Sequence, residues 1–118
     1  MKELTLSVVV KRVGEEPVAI EMENTVKAFR GFVGGYLGTQ KVFADDDSVL
    51  LVFNEEAKAL GLPKNFPFYE ESSGEPLDMI RGDFAFVGCD KQKTFCSLTR
   101  EQIDRCLAYC RRLIVVSG

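Results

Sequence analysis

Glu55, Glu56 and Asp83 are the residues whose types come nearest to acid–base chemistry. A set of carboxylates can divide the work of general acid and general base when burial raises one pKa and leaves another low. Glu55 and Glu56 are neighbours, however. On a helix, adjacent side chains point about 100° apart and do not converge on one substrate atom. Asp45, Asp46 and Asp47 form a second acidic run, and carboxylate oxygens are hard ligands of the kind magnesium and calcium take. One loop supplies too few fixed ligands for a cage, and a solvated hairpin tip explains the run without an ion. The chain has no histidine. That removes Ser-His-Asp and Cys-His nucleophiles and every histidine-ligated metal.

The four cysteines, Cys89, Cys96, Cys106 and Cys110, all fall in the last third of the chain. None of their gaps is the close CxxC pair of a zinc site, and a zinc ion would need all four thiolates. Reduced cysteines otherwise behave as small hydrophobes. The residue types therefore predict no catalytic group, no metal ligand and no cofactor. What remains is a binding surface, and the candidates are polar residues in turns beside strands, where a rigid scaffold presents contacts. These are Arg30, Tyr36, Asn54, Asn65, Arg81 and Asp83. The forks of Arg30 and Arg81 suit a phosphate or carboxylate, and Tyr36 suits stacking on a base. A surface ion pair or a helix cap would use the same residues. Arg81-Gly82-Asp83 as an adhesion tripeptide is a coincidence of composition.

The elements that must position these residues are legible in outline. LTLSVVV (4–10) and VAIEM (18–22) flank a turn-like KRVGEEP and predict a β-hairpin. Asn24 is placed to cap a helix from Thr25, with Val26, Phe29, Phe32 and Val33 on one face and Gly34-Gly35 as its end. Strands are predicted over 36–44 and 48–53, with the aspartates at the turn. Asn54 then stands as the N-cap of a short helix, Glu55 and Glu56 in its first turn, Gly61 as the residue after its end and Pro63 as the stop. Residues 66–78 read as a long loop with at most one short strand, exposing Phe66, Phe68 and Tyr69. A strand follows over 83–88. Thr99-x-x-Gln102 is a capping box for a helix whose stripe is Ile103, Cys106, Leu107, Cys110 and Leu113. The run LIVVSG that follows suits a strand or the cover of a neighbouring subunit.

This order, β-β-α-β-β-α-β-α, predicts a single α+β domain over residues 1–118. Its sheet is mostly antiparallel, with two longer helices and one short helix packed on one face. At 118 residues with 46% hydrophobic and 28% charged content, one core is expected and disorder is not. A net charge of −3 makes nucleic acid an unlikely partner and is too small for a DNA mimic. No run approaches a membrane span and the first residues do not read as a signal peptide, so the expected setting is the cytoplasm.

Several runs resemble a family of small phage and mobile-element proteins known as domain of unknown function family 3846. They are the N-terminal strands, VGGYLG (33–38), LLVFNEEAKALGLPKN (50–65), IRGDFAFVG (80–88) and FCSLTREQI (95–103). Together they span most of the chain from about Met22 to Leu107. The resemblance brings no catalytic residues with it. The four cysteines depart from the family's pattern. What it implies is context: an accessory protein in the cytosol of a host cell, with counter-defence or host manipulation as its role. Three functions are therefore expected in descending order. The first is a non-enzymatic binding protein for a host protein or a small nucleotide signal. The second is a homo-oligomeric module that blocks a host enzyme or nucleoprotein complex through its tail and its aromatic loop. The third is a small carboxylate enzyme.

Overall fold

The computed structural model describes residues 3–112. Its elements are β1 (Thr5–Lys11), β2 (Val18–Glu23), α1 (Val26–Val33), β3 (Leu37–Phe43), β4 (Asp46–Asn54), β5 (Lys64–Tyr69), β6 (Pro76–Arg81), β7 (Phe84–Cys89), β8 (Phe95–Cys96) and α2 (Arg100–Arg111). The main sheet runs β2-β1-β7-β4-β3, with β8 added on β7, and β5-β6 form a second sheet of two strands. Every pairing is antiparallel. The architecture is α+β, a mostly antiparallel sheet with two helices.

The helices do not share a face, which corrects the packing expected from the sequence. Val8, Val9 and Val10 of β1 are all fully buried, and β7 is buried along its whole length. Successive side chains of a strand point to opposite faces, so strands buried throughout need cover on both sides. On one side, Phe29 and Val33 of α1 pack with Val8, Val10, Val52 and Val87. On the other, Cys106, Tyr109 and Cys110 of α2 pack with Val9, Leu51, Phe84 and Phe86. The Val8-Val9-Val10 run carried this information, because a strand buried on one side only would have alternated there.

Three further expectations change. Thr25, not Asn24, caps α1, its hydroxyl accepting from the Ala28 amide at 3.1 Å. Residues 55–61 form consecutive turns and no helix. Both ends of the expected helix are nevertheless present. Asn54 Oδ1 accepts from the Glu56 amide, and the Gly61 and Leu62 amides bond back to Lys58 and Ala57 as in a Schellman motif. Between start and stop there is room for one turn, closed by Leu60 N–H on Glu56 O. Residues 66–78 are not one long loop: Phe66, Phe68 and Tyr69 belong to β5 and are buried, and β6 begins at Pro76. Their aromatic rings fill the core and are not free as interface anchors. The LIVVSG run and Leu113 lie outside the described residues.

A reciprocal pair of tyrosines ties the second sheet to α2. Tyr109 Oη accepts from the Tyr69 amide at 2.9 Å and donates to the Tyr69 carbonyl at 2.7 Å. Tyr69 Oη donates to the Tyr109 carbonyl at 2.8 Å. The two rings stack at 4.2 Å and 6°, and burial pushes both phenols above their ordinary pKa. Tyr109→Phe leaves a buried amide and carbonyl of β5 without partners. The expected loss is about 1–3 kcal/mol of stability, read as a lower urea midpoint with unchanged m-value.

Candidate functional site

The six candidate residues fall into two corners of the fold. At the first, Gly34 closes α1 with a left-handed φ of +84°, and the Gly34 and Gly35 amides both donate to Arg30 O. Asn54, at the end of β4, reaches across to this corner. Its Nδ2 donates to Val33 O at 3.2 Å while its Oδ1 holds the Glu56 amide. A Cβ on Gly35 would sit 2.9 Å from Asn54 Nδ2, so the amide lies where only glycine leaves room. Arg30 lies over the ring of Tyr36 at 4.5 Å, and Tyr36 is 59% exposed. VGGYLG and the NEE of the next run are thus two halves of one joint.

At the second corner, Asn65 Nδ2 donates to Lys11 O and Gly82 O, and its Oδ1 accepts from Lys11 Nζ. Arg81 donates to Leu62 O at 3.1 Å, the Gly82 amide to Pro63 O at 2.8 Å, and Asp83 accepts from the Val13 amide at 2.9 Å. GLPKN and RGD are therefore also a joint, fastening the β5–β6 hairpin to β1. Among the described residues no buried side-chain nitrogen or oxygen lacks a partner. Asn65 and Asp83 are committed to backbone. Glu55 is exposed and no hydrogen bond links it to Asp83, so the structure does not gather the acid–base set.

A cleft of about 480 Å³ opens between the 54–58 turn and β6. It is lined by the apolar Leu51, Phe53, Phe68, Leu77, Met79 and Ile80 and by the polar Asn54, Glu55, Lys58 and Arg81. The size and the apolar lining are those of a binding pocket. Of the six candidates, Asn54 and Arg81 reach this cleft. A second cavity of about 430 Å³ continues from it past the β3–β4 turn, sharing Gln40, Phe68 and Leu77. The cations along both are already engaged. Lys58 bonds both oxygens of Asp78 at 2.9 Å, Lys41 pairs with Asp47, and Arg81 caps Leu62 O. Arg105 bonds Glu71 and Asp45 and lies over Phe43 at 3.9 Å. The cleft residues Leu77 and Met79 were missed because the region reads as turn formers.

The three aspartates are separated by their partners. Arg105, bonded to Asp45, holds that carboxyl below its usual range, and Lys41 does the same for Asp47. At Asp46 burial pushes upward, but hydrogen bonds from Ser48 and Gln102 outweigh it and the net direction is down. The cysteines are free thiols. Cys106 and Cys110 face the core as expected, and burial pushes Cys110 up to about 12 and Cys106 higher still.

The family described as a domain of unknown function (DUF3846) matches residues 4–111. The chain belongs to that family. No curated protein and no solved structure matches it. In this DUF3846 chain the runs that carried the resemblance are the two joints, the strand β7 and the capping box of α2. No helix among the described residues is long and apolar enough to cross a membrane.

Two outcomes follow from these environments. A carboxylate whose folded pKa lies below its unfolded value stabilises fully above the unfolded value, about 3.9, and loses that contribution as pH falls through the folded pKa. Urea midpoints should therefore drop as pH falls below about 4, and Asp46→Asn should flatten that drop. A thiol pushed up is protonated and unreactive at neutral pH. A disulfide exchange reagent at about pH 8 should titrate Cys106 and Cys110 only after denaturant is added.

Proposed function

We propose that this protein is a non-enzymatic binding protein that acts on a protein target through the cleft between β6 and the β3–β4 ribbon. The observation that carries this reading is a trough with apolar walls whose lining cations are each bonded within the chain. A site built for phosphate would present unpaired cations or helix N-termini. Apolar walls with a polar rim suit the side chains of a protein partner. In a phage or mobile element, as the family resemblance implies, that partner is a host protein and the role is counter-defence in the host cytosol. Immobilised protein should retain from host extract a component that Leu77→Glu fails to retain. Leu77 is 57% exposed, so the substitution leaves the core intact. Equal capture by both forms, or no capture by either, would contradict the reading.

A second reading has one observation in its favour. Arg30 stacked on exposed Tyr36 has no carboxylate partner among the described residues, and such a pair can hold a base and its phosphate. On that reading a small nucleotide signal binds at the first joint. A cyclic dinucleotide or ADP-ribose derivative should then raise the melting temperature, and Tyr36→Ala should abolish the rise. A panel that produces no rise removes the nucleotide reading.

A further inference from the structure

The main sheet ends in β2 on one side and β3 on the other. An end strand presents backbone N–H and C=O groups without a neighbour, and proteins interrupt such rows to prevent stray pairing. β3 is interrupted by a register shift between Lys41 and Phe43. In the small sheet the pairing of β6 with β5 shifts as well, and the Met79 amide is taken by Asp78 Oδ1. β2 has no such device. Its pairing with β1 runs from Thr5↔Glu23 to Val10↔Val18 without a shift.

The direction of each β2 backbone group follows from its neighbours. In an antiparallel ladder, facing residues alternate between bonding each other and pointing away. The Asn24 amide donates to Leu4 O, which sets Met22, Ile20 and Val18 to bond β1. Ser7 faces Glu21, but its carbonyl accepts from the Leu98 amide and its own amide donates to Ser97 Oγ. Ser7 is thus turned away from β2, and Glu21 is turned outward with Ala19 and Glu23. The Glu23 carbonyl accepts from the Thr25 amide. The outward row is therefore the amide and carbonyl of Ala19, the same pair of Glu21, and the amide of Glu23, all on exposed residues.

The charge along this edge has one sign. Glu15, Glu16, Glu21 and Glu23 are exposed, and no lysine or arginine lies between Arg12 and Lys27. None of the four is in an ion pair among the described residues; Glu21 accepts from the Ser7 hydroxyl. Alternation puts Glu21 and Glu23 on one face with Ala19, and Val18 and Ile20 on the other. Val18 is 44% exposed, and Ile20 is partly buried against the α1 side of the core.

We infer that β2 accepts an extended segment of a partner protein as a further strand, one that alternates lysine or arginine with apolar residues. The backbone row supplies the pairing, and alternate side chains supply the selectivity. Basic side chains meet Glu21 and Glu23 on one face, while apolar ones extend Val18 and Ile20 on the other. Opposite charges across a strand pair attract and like charges repel. A second copy of this chain brings the same glutamates to the edge and is disfavoured. The surface is distinct from the cleft, since β2 and β3 are four strand spacings, about 19 Å, apart.

The test uses a short fluorescent peptide of alternating lysine and valine, added to the full chain and followed by anisotropy. It should bind more tightly than a peptide of the same composition with its lysines in one block. Bound peptide should slow hydrogen exchange at the Ala19, Glu21 and Glu23 amides. Ala19→Pro removes one outward donor at an edge position that tolerates proline, and should weaken binding about tenfold or more. Glu21→Gln together with Glu23→Gln should weaken binding and remove most of its salt dependence. Leu77→Glu, in the cleft, should bind as the parent does. Equal binding of the two peptides with unchanged exchange at the three amides would overturn the inference. So would no binding, loss of binding in Leu77→Glu, or a dimer in light scattering that Ala19→Pro dissociates.

Discussion

Tyr69 and Tyr109 exchange three hydrogen bonds between side chain and backbone, and the position of the second sheet depends on them. Two isolated strands are marginal in water and need a surface to lie on. Here that surface is the face of the main sheet with α2, and the tyrosine pair bonds β5 to α2 through polar groups in the core. The stacked rings satisfy a strand amide, a strand carbonyl and a helix carbonyl that burial would otherwise leave orphaned. Phe43, Phe66, Phe68 and Phe86 gather around Tyr109 at 5.8–6.4 Å. This cluster fixes one wall of the cleft, β6, at the end of a hairpin that Asn65 also ties to β1.

The remaining polar residues act as fasteners around that cluster. Asn54 ties α1 to β4, Asn65 ties the hairpin to β1, and Arg105 draws the 70–75 loop and the β3–β4 turn together over Phe43. Each joins elements distant in sequence. Arg105 in particular is bonded to carboxylates on two separate loops, which makes it a third support for the trough. Asn54, Asn65, Arg81 and Asp83, which look chemical in the sequence, are occupied in this way.

Much of this could be read before the fold was seen, and the reasons for the misses are specific. The Thr99–Gln102 capping box is local chemistry and forms as the sequence implies. The start and stop signals around residues 54–62 were also right, but signals do not report how many turns fit between them. The N-terminal hairpin and the strands through Phe53 and Phe84 followed from alternation and turn residues. The hairpin β5–β6 was hidden because Pro67, Gly74 and Pro76 read as breaks, yet Pro67 lies inside β5 and Pro76 opens β6. The faces of the helices were misjudged because periodicity along one segment does not say which side of a sheet it covers. The tyrosine pair was invisible for a different reason. Its partners are 40 residues apart, and no local pattern marks a reciprocal contact.

The claim that the hairpin is locked to the sheet through Tyr69 is tested most directly by native-state hydrogen exchange at the Tyr69 amide. A locked hairpin predicts that this amide exchanges only with global unfolding, at the same free energy as the amides of Val87 and Phe86 in β7. Exchange several kcal/mol easier than in β7, with β5 and β6 opening together while the main sheet stays protected, would show that the wall of the cleft is not fixed and would contradict the account.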